Sequence, residues 1–185
     1  TKVDAQMLKD ADVDAVILAI GSSPITIKLE GMDKLQHASA PEVLRHEVCP
    51  KGKVAVIGGG LVGLETADTL ATDGCDVTVL EMKDEIGSDL GSLRKIAVMM
   101  KLQQMQVKML PNSKVCKFTE EGIVLEDETL VPCNCAVFAV GFASNDSHLL
   151  VEECEKRQIP CRVIGDAKSA RRALDAIAEG FEAAR

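Results

Sequence analysis

The chain has no tryptophan, no tyrosine and four phenylalanines. Without a tyrosine there is no catalytic phenol, so a dehydrogenase that moves its proton through one is excluded. An excess of positive charge is also missing: 21 Lys and Arg stand against 29 Asp and Glu, for a net charge of -8. Nucleic-acid backbones need clustered cations, so no nucleic-acid partner is expected. No apolar run approaches a membrane span and no charged-then-apolar leader is present, so no membrane partner is expected and the chain reads as soluble and cytoplasmic. The seven cysteines, at 49, 75, 116, 133, 135, 154 and 161, include no C-x-x-C. Cys133 and Cys135 are expected to share one face of a strand. An odd number in such a chain reads as reduced thiols, with neither a metal site nor a redox pair. His37, His46 and His148 are isolated and read as ordinary polar residues, and no residue is singled out as catalytic. The first residue is not methionine, which fits a piece of a longer polypeptide and equally the removal of an initiator methionine.

What is there centres on residues 54–81, VAVIGGGLVGLETADTLATDGCDVTVLE. Residues 54–57 form an apolar, β-branched run that reads as a buried parallel strand. Gly58, Gly60 and Gly63 then fit G-x-G-x-x-G, with a helix following at once through Leu61, Val62 and beyond. Gly58 permits the tight turn, Gly60 has no Cβ to hold a pyrophosphate off the backbone, and Gly63 lets helix and strand pack closely. Phosphates would be held by the free N–H groups and positive dipole end of the helix, Gly59 being part of the same turn. A second strand over residues 75–80 (CDVTVL) ends at Glu81 and Met82. A carboxylate about 20 residues past the first glycine accepts both ribose hydroxyls of NAD(H) and repels a 2′-phosphate.

In chain order, a short helix is expected at residues 5–9, and residues 14–20 (DAVILAI) form a buried strand ending in Gly21. Residues 25–52 read as a connector with a short helix at 41–47. Residues 88–104 form a helix whose apolar face is Leu93, Ile96, Ala97, Met100 and Leu102, with Met99, Met100, Met105 and Met109 as core filler. A strand at 107–110 precedes three short alternating runs at 114–118, 122–125 and 129–131, a β-meander with acidic tips. Residues 135–140 (CAVFAV) are a second strand closing in Val140 and Gly141, echoing the run before Gly21. Residues 145–160 are polar with weak periodicity. Residues 161–164 form a strand ending in Gly165 and Asp166, and an amphipathic helix over 169–184 has Leu174, Ile177 and Phe181 on one face. Asp166 can meet a ligand hydroxyl or simply cap that helix.

The strand ends at 14–24 and 135–141, the fingerprint at 58–81 and the Gly165-Asp166 segment together resemble the two-dinucleotide-domain flavoprotein reductases, the pyridine nucleotide-disulfide oxidoreductase type. The tail VIGDAKSARRALDAIAEGFEAAR is similar to the C-terminal end of NADH:flavin oxidoreductases that begin with an old-yellow-enzyme barrel, such as 2-enoate and 2,4-dienoyl-CoA reductases. The resemblance implies an α/β fold: a Rossmann-like parallel sheet binding NAD(H), with a β-meander, flanked by parts of a second Rossmann-like domain that binds FAD. It divides the chain into residues 1–45 (end of the FAD-binding domain and connector), 46–145 (NAD(H)-binding) and 146–185 (return to the FAD-binding domain). It places Asp166, beside Gly165, on the flavin ribityl chain and Glu65 near the nicotinamide. These 185 residues carry one Gly-rich fingerprint, so the FAD site is partial and needs upstream residues. The implied partners are the missing upstream FAD-binding and barrel domains of the parent enzyme. The implied function is electron entry, with hydride passing from NADH to FAD and onward to FMN through an iron-sulfur centre elsewhere. The alternatives are an NAD(H)-sensing module without redox turnover and an independent dehydrogenase, for whose substrate domain no residues remain.

Overall fold

The computed structural model of the chain describes residues 3–185. In order, the elements are α1 (Ala5–Asp10), β1 (Val16–Leu18), β2 (Ser22–Pro24), β3 (Gln36–Ser39), α2 (Ala40–Leu44), β4 (Lys53–Ile57), α3 (Leu61–Thr72), β5 (Asp76–Leu80) and α4 (Ser92–Gln104). There follow β6 (Lys108–Leu110), β7 (Val115–Thr119), β8 (Gly122–Leu125), β9 (Leu130–Pro132), β10 (Cys135–Phe138), β11 (Phe142–Ser144), α5 (His148–Lys156), β12 (Cys161–Val163) and α6 (Ala173–Ala183). The described residues form two compact units, residues 24–141 and residues 3–23 with 142–185.

In the first of these, the inner unit, five parallel strands lie in the order β3-β10-β4-β5-β6. The sheet is covered on both faces, which is why its central strands read as unbroken apolar runs. Val54 and Val56 of β4 pack with Val43 of α2, Leu64, Ala67 and Leu70 of α3 and Leu102 of α4. Ala55 and Ile57, pointing the other way, pack with Phe118, Ile123, Leu125 and Val131 of the antiparallel β7-β8-β9 sheet. The unit is therefore three layers: helices, parallel sheet, meander. This agrees with the expected fold class.

The other unit, the outer one, is built from short pieces. β1 pairs in parallel with β12, Ile17 facing Arg162, and β2 pairs with β11. Asp4 accepts from the Met7 N–H at the start of α1 (2.8 Å), and at its end Arg157 donates to the carbonyls of Leu8 and Ala11. Glu179 of α6 accepts from the Gly165 N–H (2.7 Å) and from Arg171 and Lys168.

Several predicted features change in the structure. The supposed connector contains β3, which becomes the sheet's edge by pairing with β10. Residues 145–160 contain α5, whose buried side is Glu153 and Cys154. In α4 the buried residue is Leu102, while Leu93, Ile96 and Met100 are exposed; Val98 and Met99, with Met105 just past the helix end, turn inward instead. Met99, Met105 and Met109 do fill the core and Met100 does not. The run at 14–20 is half-bare, with Ile17 and Ile20 exposed, because among the described residues β12 is the one strand paired with β1. The last helix starts at Ala173, and Leu174, Ile177 and Phe181 are exposed within the described residues. Cys133 and Cys135 do not share a face: Cys133 precedes β10 and packs on the meander side, Cys135 on the helix side. Burial pushes both thiols up to about 11.

Candidate functional site

The Gly58 turn sits at the carboxyl end of β4, next to the carboxyl end of β10. These two strands mark the point where the chain order reverses: β5 and β6 lie to one side of β4 and β10 and β3 to the other. Open parallel sheets bind ligands in the crevice at such a point. Gly58 has φ +111, a conformation that favours glycine, and its N–H donates to the Leu80 carbonyl (2.8 Å). Gly63 faces the Gly58 carbonyl so closely that a Cβ there would overlap it. Gly60 is the residue preceding α3, in extended backbone, and Leu64 N–H closes the first helical turn on its carbonyl (3.0 Å). Val62 packs partly against the helix-side core.

Glu81 directly follows β5 and is 9% exposed. A buried carboxylate must be satisfied by donors, and here the backbone supplies them: Gly59 N–H to Oε2 (2.7 Å) and Lys83 N–H to Oε1 (3.0 Å). Its own backbone is pinned too, N–H to the Leu110 carbonyl and carbonyl from the Ser113 N–H. Each carboxylate oxygen keeps a further acceptor position. Met82 beside it is exposed. Glu65, on the second turn of α3, pairs with Arg94 of α4 at 2.8 Å, and both side chains are well exposed. Val140 packs on the meander-side core, and Gly141 (φ +102) accepts from the Ile25 N–H (3.0 Å).

Gly21, Gly165 and Asp166 fall in the outer unit. Asp166 lies in a 3-10 turn over Gly165–Ala167, where Oδ2 accepts from the Ser22 hydroxyl (3.2 Å) and Oδ1 from the Arg171 N–H (3.3 Å). It does not cap α6, which is preceded by Arg172. Gly21 accepts from the Asn145 N–H (3.0 Å), and the Asn145 side chain also bonds Ser23 and the Ile20 carbonyl, so Gly21, Ser22, Asn145 and Asp166 form one polar cluster.

Sequence reasoning missed Asp89. Its two carboxylate oxygens accept from the Leu61 N–H at 3.1 and 3.0 Å, at the first free amide of α3. Nothing periodic marks it, since it lies in the loop between β5 and α4 and only the fold brings it to Leu61. Ser22 and Arg94 were missed for the same reason.

Parallel sheet, glycine turn at the reversal point and strand-end carboxylate together define a Rossmann-type dinucleotide-binding α/β protein. The chain belongs to the pyridine nucleotide-disulphide oxidoreductase family, whose profile matches residues 2–167. It is 36% identical over 98% of its length to the bilirubin reductase of Mediterraneibacter gnavus and 36% identical over 96% to the cinnamate reductase of Clostridium sporogenes. The NADH oxidase of Thermoanaerobacter brockii is 31% identical over 98% of the chain. Among solved structures, a 2-naphthoyl-CoA reductase superposes with a TM-score of 0.86 over 98% of the chain at 24% identity, a likeness of fold. The chain spans 28%, 27% and 29% of the lengths of the three relatives and 28% of that structure's chain, less than a third in each case. Among the described residues no helix is long and apolar enough to cross a membrane.

Proposed function

We propose that the chain is the NADH-binding, electron-entry portion of a flavin-dependent oxidoreductase, delivering hydride from NADH to FAD. The inner unit holds NADH and the outer unit contributes the ribityl side of an FAD site completed by upstream residues. From FAD, electrons continue to FMN through an iron-sulfur centre in the remainder of an enzyme of the old-yellow-enzyme-barrel type, whose upstream FAD-binding and barrel domains are the partners. Its site is the cytoplasm.

The observation that carries this reading is Glu81, a carboxylate locked by the Gly59 and Lys83 N–H groups beside the glycine turn. Held this way, it accepts the two adenosine ribose hydroxyls, and a 2′-phosphate would meet its charge in a buried setting. The cradle fits the rest: at Gly60 the atoms nearest to an added Cβ belong to the Asp89 side chain, so a pyrophosphate can approach the backbone once that side chain moves. When bound, the nicotinamide supplies the hydride and the flavin takes it. The protein's own work is positional. The α3 amides hold the phosphates, Glu81 fixes the adenosine end, Glu65 borders the nicotinamide end, and Asp166, already engaged with Ser22, accepts from flavin ribityl hydroxyls.

Calorimetric titration of the chain with NADH and NADPH tests the reading. NADH should bind more tightly, and Glu81→Ala should narrow the gap by about tenfold, as for a hydrogen bond to a charged group. Equal affinity for both cofactors in the unmodified chain overturns it.

A further inference from the structure

The place where the pyrophosphate would lie already holds an anion, and it belongs to the protein. Asp89 puts both carboxylate oxygens on the Leu61 N–H, and Oδ2 is the atom nearest to a Cβ built on Gly60, at 3.1 Å. A free amide at the positive end of a helix attracts any carboxylate or phosphate, so one donor group faces two candidate anions. The loop carrying Asp89 is fastened on both sides of it. The Gly87 N–H bonds the Gly59 carbonyl at 2.7 Å, Ile86 is buried, Leu90 packs against the helix-side core, and Glu85 pairs with Lys95. Asp89 itself is exposed. Releasing the amide takes a turn of this solvent-facing side chain about its own bonds.

We propose that Asp89 is an internal counter-anion that closes the phosphate seat of the glycine turn until the pyrophosphate of a dinucleotide displaces it; this rests on the dinucleotide reading above. The carboxylate satisfies the start of α3 in the ligand-free protein and sets a threshold that ligands without a pyrophosphate do not have to cross. It lowers affinity for the cofactor as a whole, while Glu81 decides which cofactor is preferred.

Asp89→Asn keeps an oxygen for the Leu61 N–H and removes the charge, and Asp89→Ser keeps a shorter cap. Both variants should bind NADH roughly two- to fivefold more tightly, the range expected for one exposed charge at a helix end. The gain should shrink at high salt, and affinity for adenosine, which carries no phosphate, should stay unchanged. Unchanged or weaker NADH binding in both variants, or an equal gain for adenosine, overturns the proposal and leaves the dinucleotide reading standing. Failure of the unmodified chain to bind NADH at all overturns both.

Discussion

A Cβ at Gly58 or at Gly63 would run into backbone, the Ala139 carbonyl in the first case and the Gly58 carbonyl in the second, whereas one at Gly60 would meet the movable end of Asp89 at 3.1 Å. The fold itself requires Gly58 and Gly63. At Gly60 the nearest neighbour is a side chain instead of backbone. Gly63→Ala should destabilise the chain by about 1–3 kcal/mol or more, the cost of overpacking a site that cannot relax. The Cβ of Gly60→Val meets the Asp89 cap first, so the variant should lose about 1 kcal/mol of stability and lose NADH binding entirely. Circular dichroism on heating separates the two effects from ligand titration, and a folded Gly60→Val variant that retains NADH affinity would refute the placement of the phosphates. At this scale the glycines and Glu81 were legible in the sequence because both stand at the ends of apolar runs, where periodicity stops. Asp89 was not: it is 28 positions from its partner Leu61, and no local pattern encodes that closure.

Elements buried on both faces were legible, and elements defined by a single neighbour were not. β4 and β10 announce themselves as continuous apolar runs because helices and meander cover both sides. β3 reads QHAS, two of its four residues are exposed, and it exists as a strand through its ladder with β10. The face of α4 was misread because both of its sides carry apolar residues, and only contact with the sheet decides that Val98, Met99 and Leu102 turn inward. α6 was legible as a helix, but its anchor is polar. Glu179 is held down to about 2 from 4.5, chiefly by its hydrogen bond from Arg171 and then by the Gly165 N–H. A carboxyl group whose folded pKa is depressed stabilises the fold above its unfolded value and loses that contribution as pH falls through the folded one. The attachment of α6 to the Gly165–Ala167 turn should thus hold above about pH 4.5 and weaken from there toward pH 2. Amide exchange should show α6 and Gly165 opening in that window while α3 stays protected, and Glu179→Gln should show the open behaviour already at neutral pH. Equal protection of α6 at pH 6 and pH 2.5 would contradict this.

The two units differ in how much core each owns. Both large apolar clusters lie in the inner unit, where the sheet is covered twice. Among the described residues 3–23 and 142–185 the buried apolar side chains are Leu8, Leu18, Cys154 and Ala167, while Ile17, Leu149, Leu174, Ile177 and Phe181 are exposed. One Gly-rich fingerprint serves one nucleotide, and it lies in the inner unit. Under the proposed function, the outer unit offers a flavin the Asp166 and Ser22 cluster and nothing for its adenine and phosphates. Affinity arises only from contacts in surplus over the entropy of capturing the ligand, so losing the ADP half of a site should weaken FAD binding by several kcal/mol, on the order of a thousandfold. NADH depends on the inner unit alone and should bind. The purified 185-residue chain should therefore be colourless, take up NADH, and fail to oxidise it without added flavin, whereas a polypeptide carrying the upstream domains should be yellow. A flavin absorption band that survives gel filtration of the chain, or NADH oxidation without added flavin, would mean that these residues hold more of the FAD site than Asp166 and its neighbours account for.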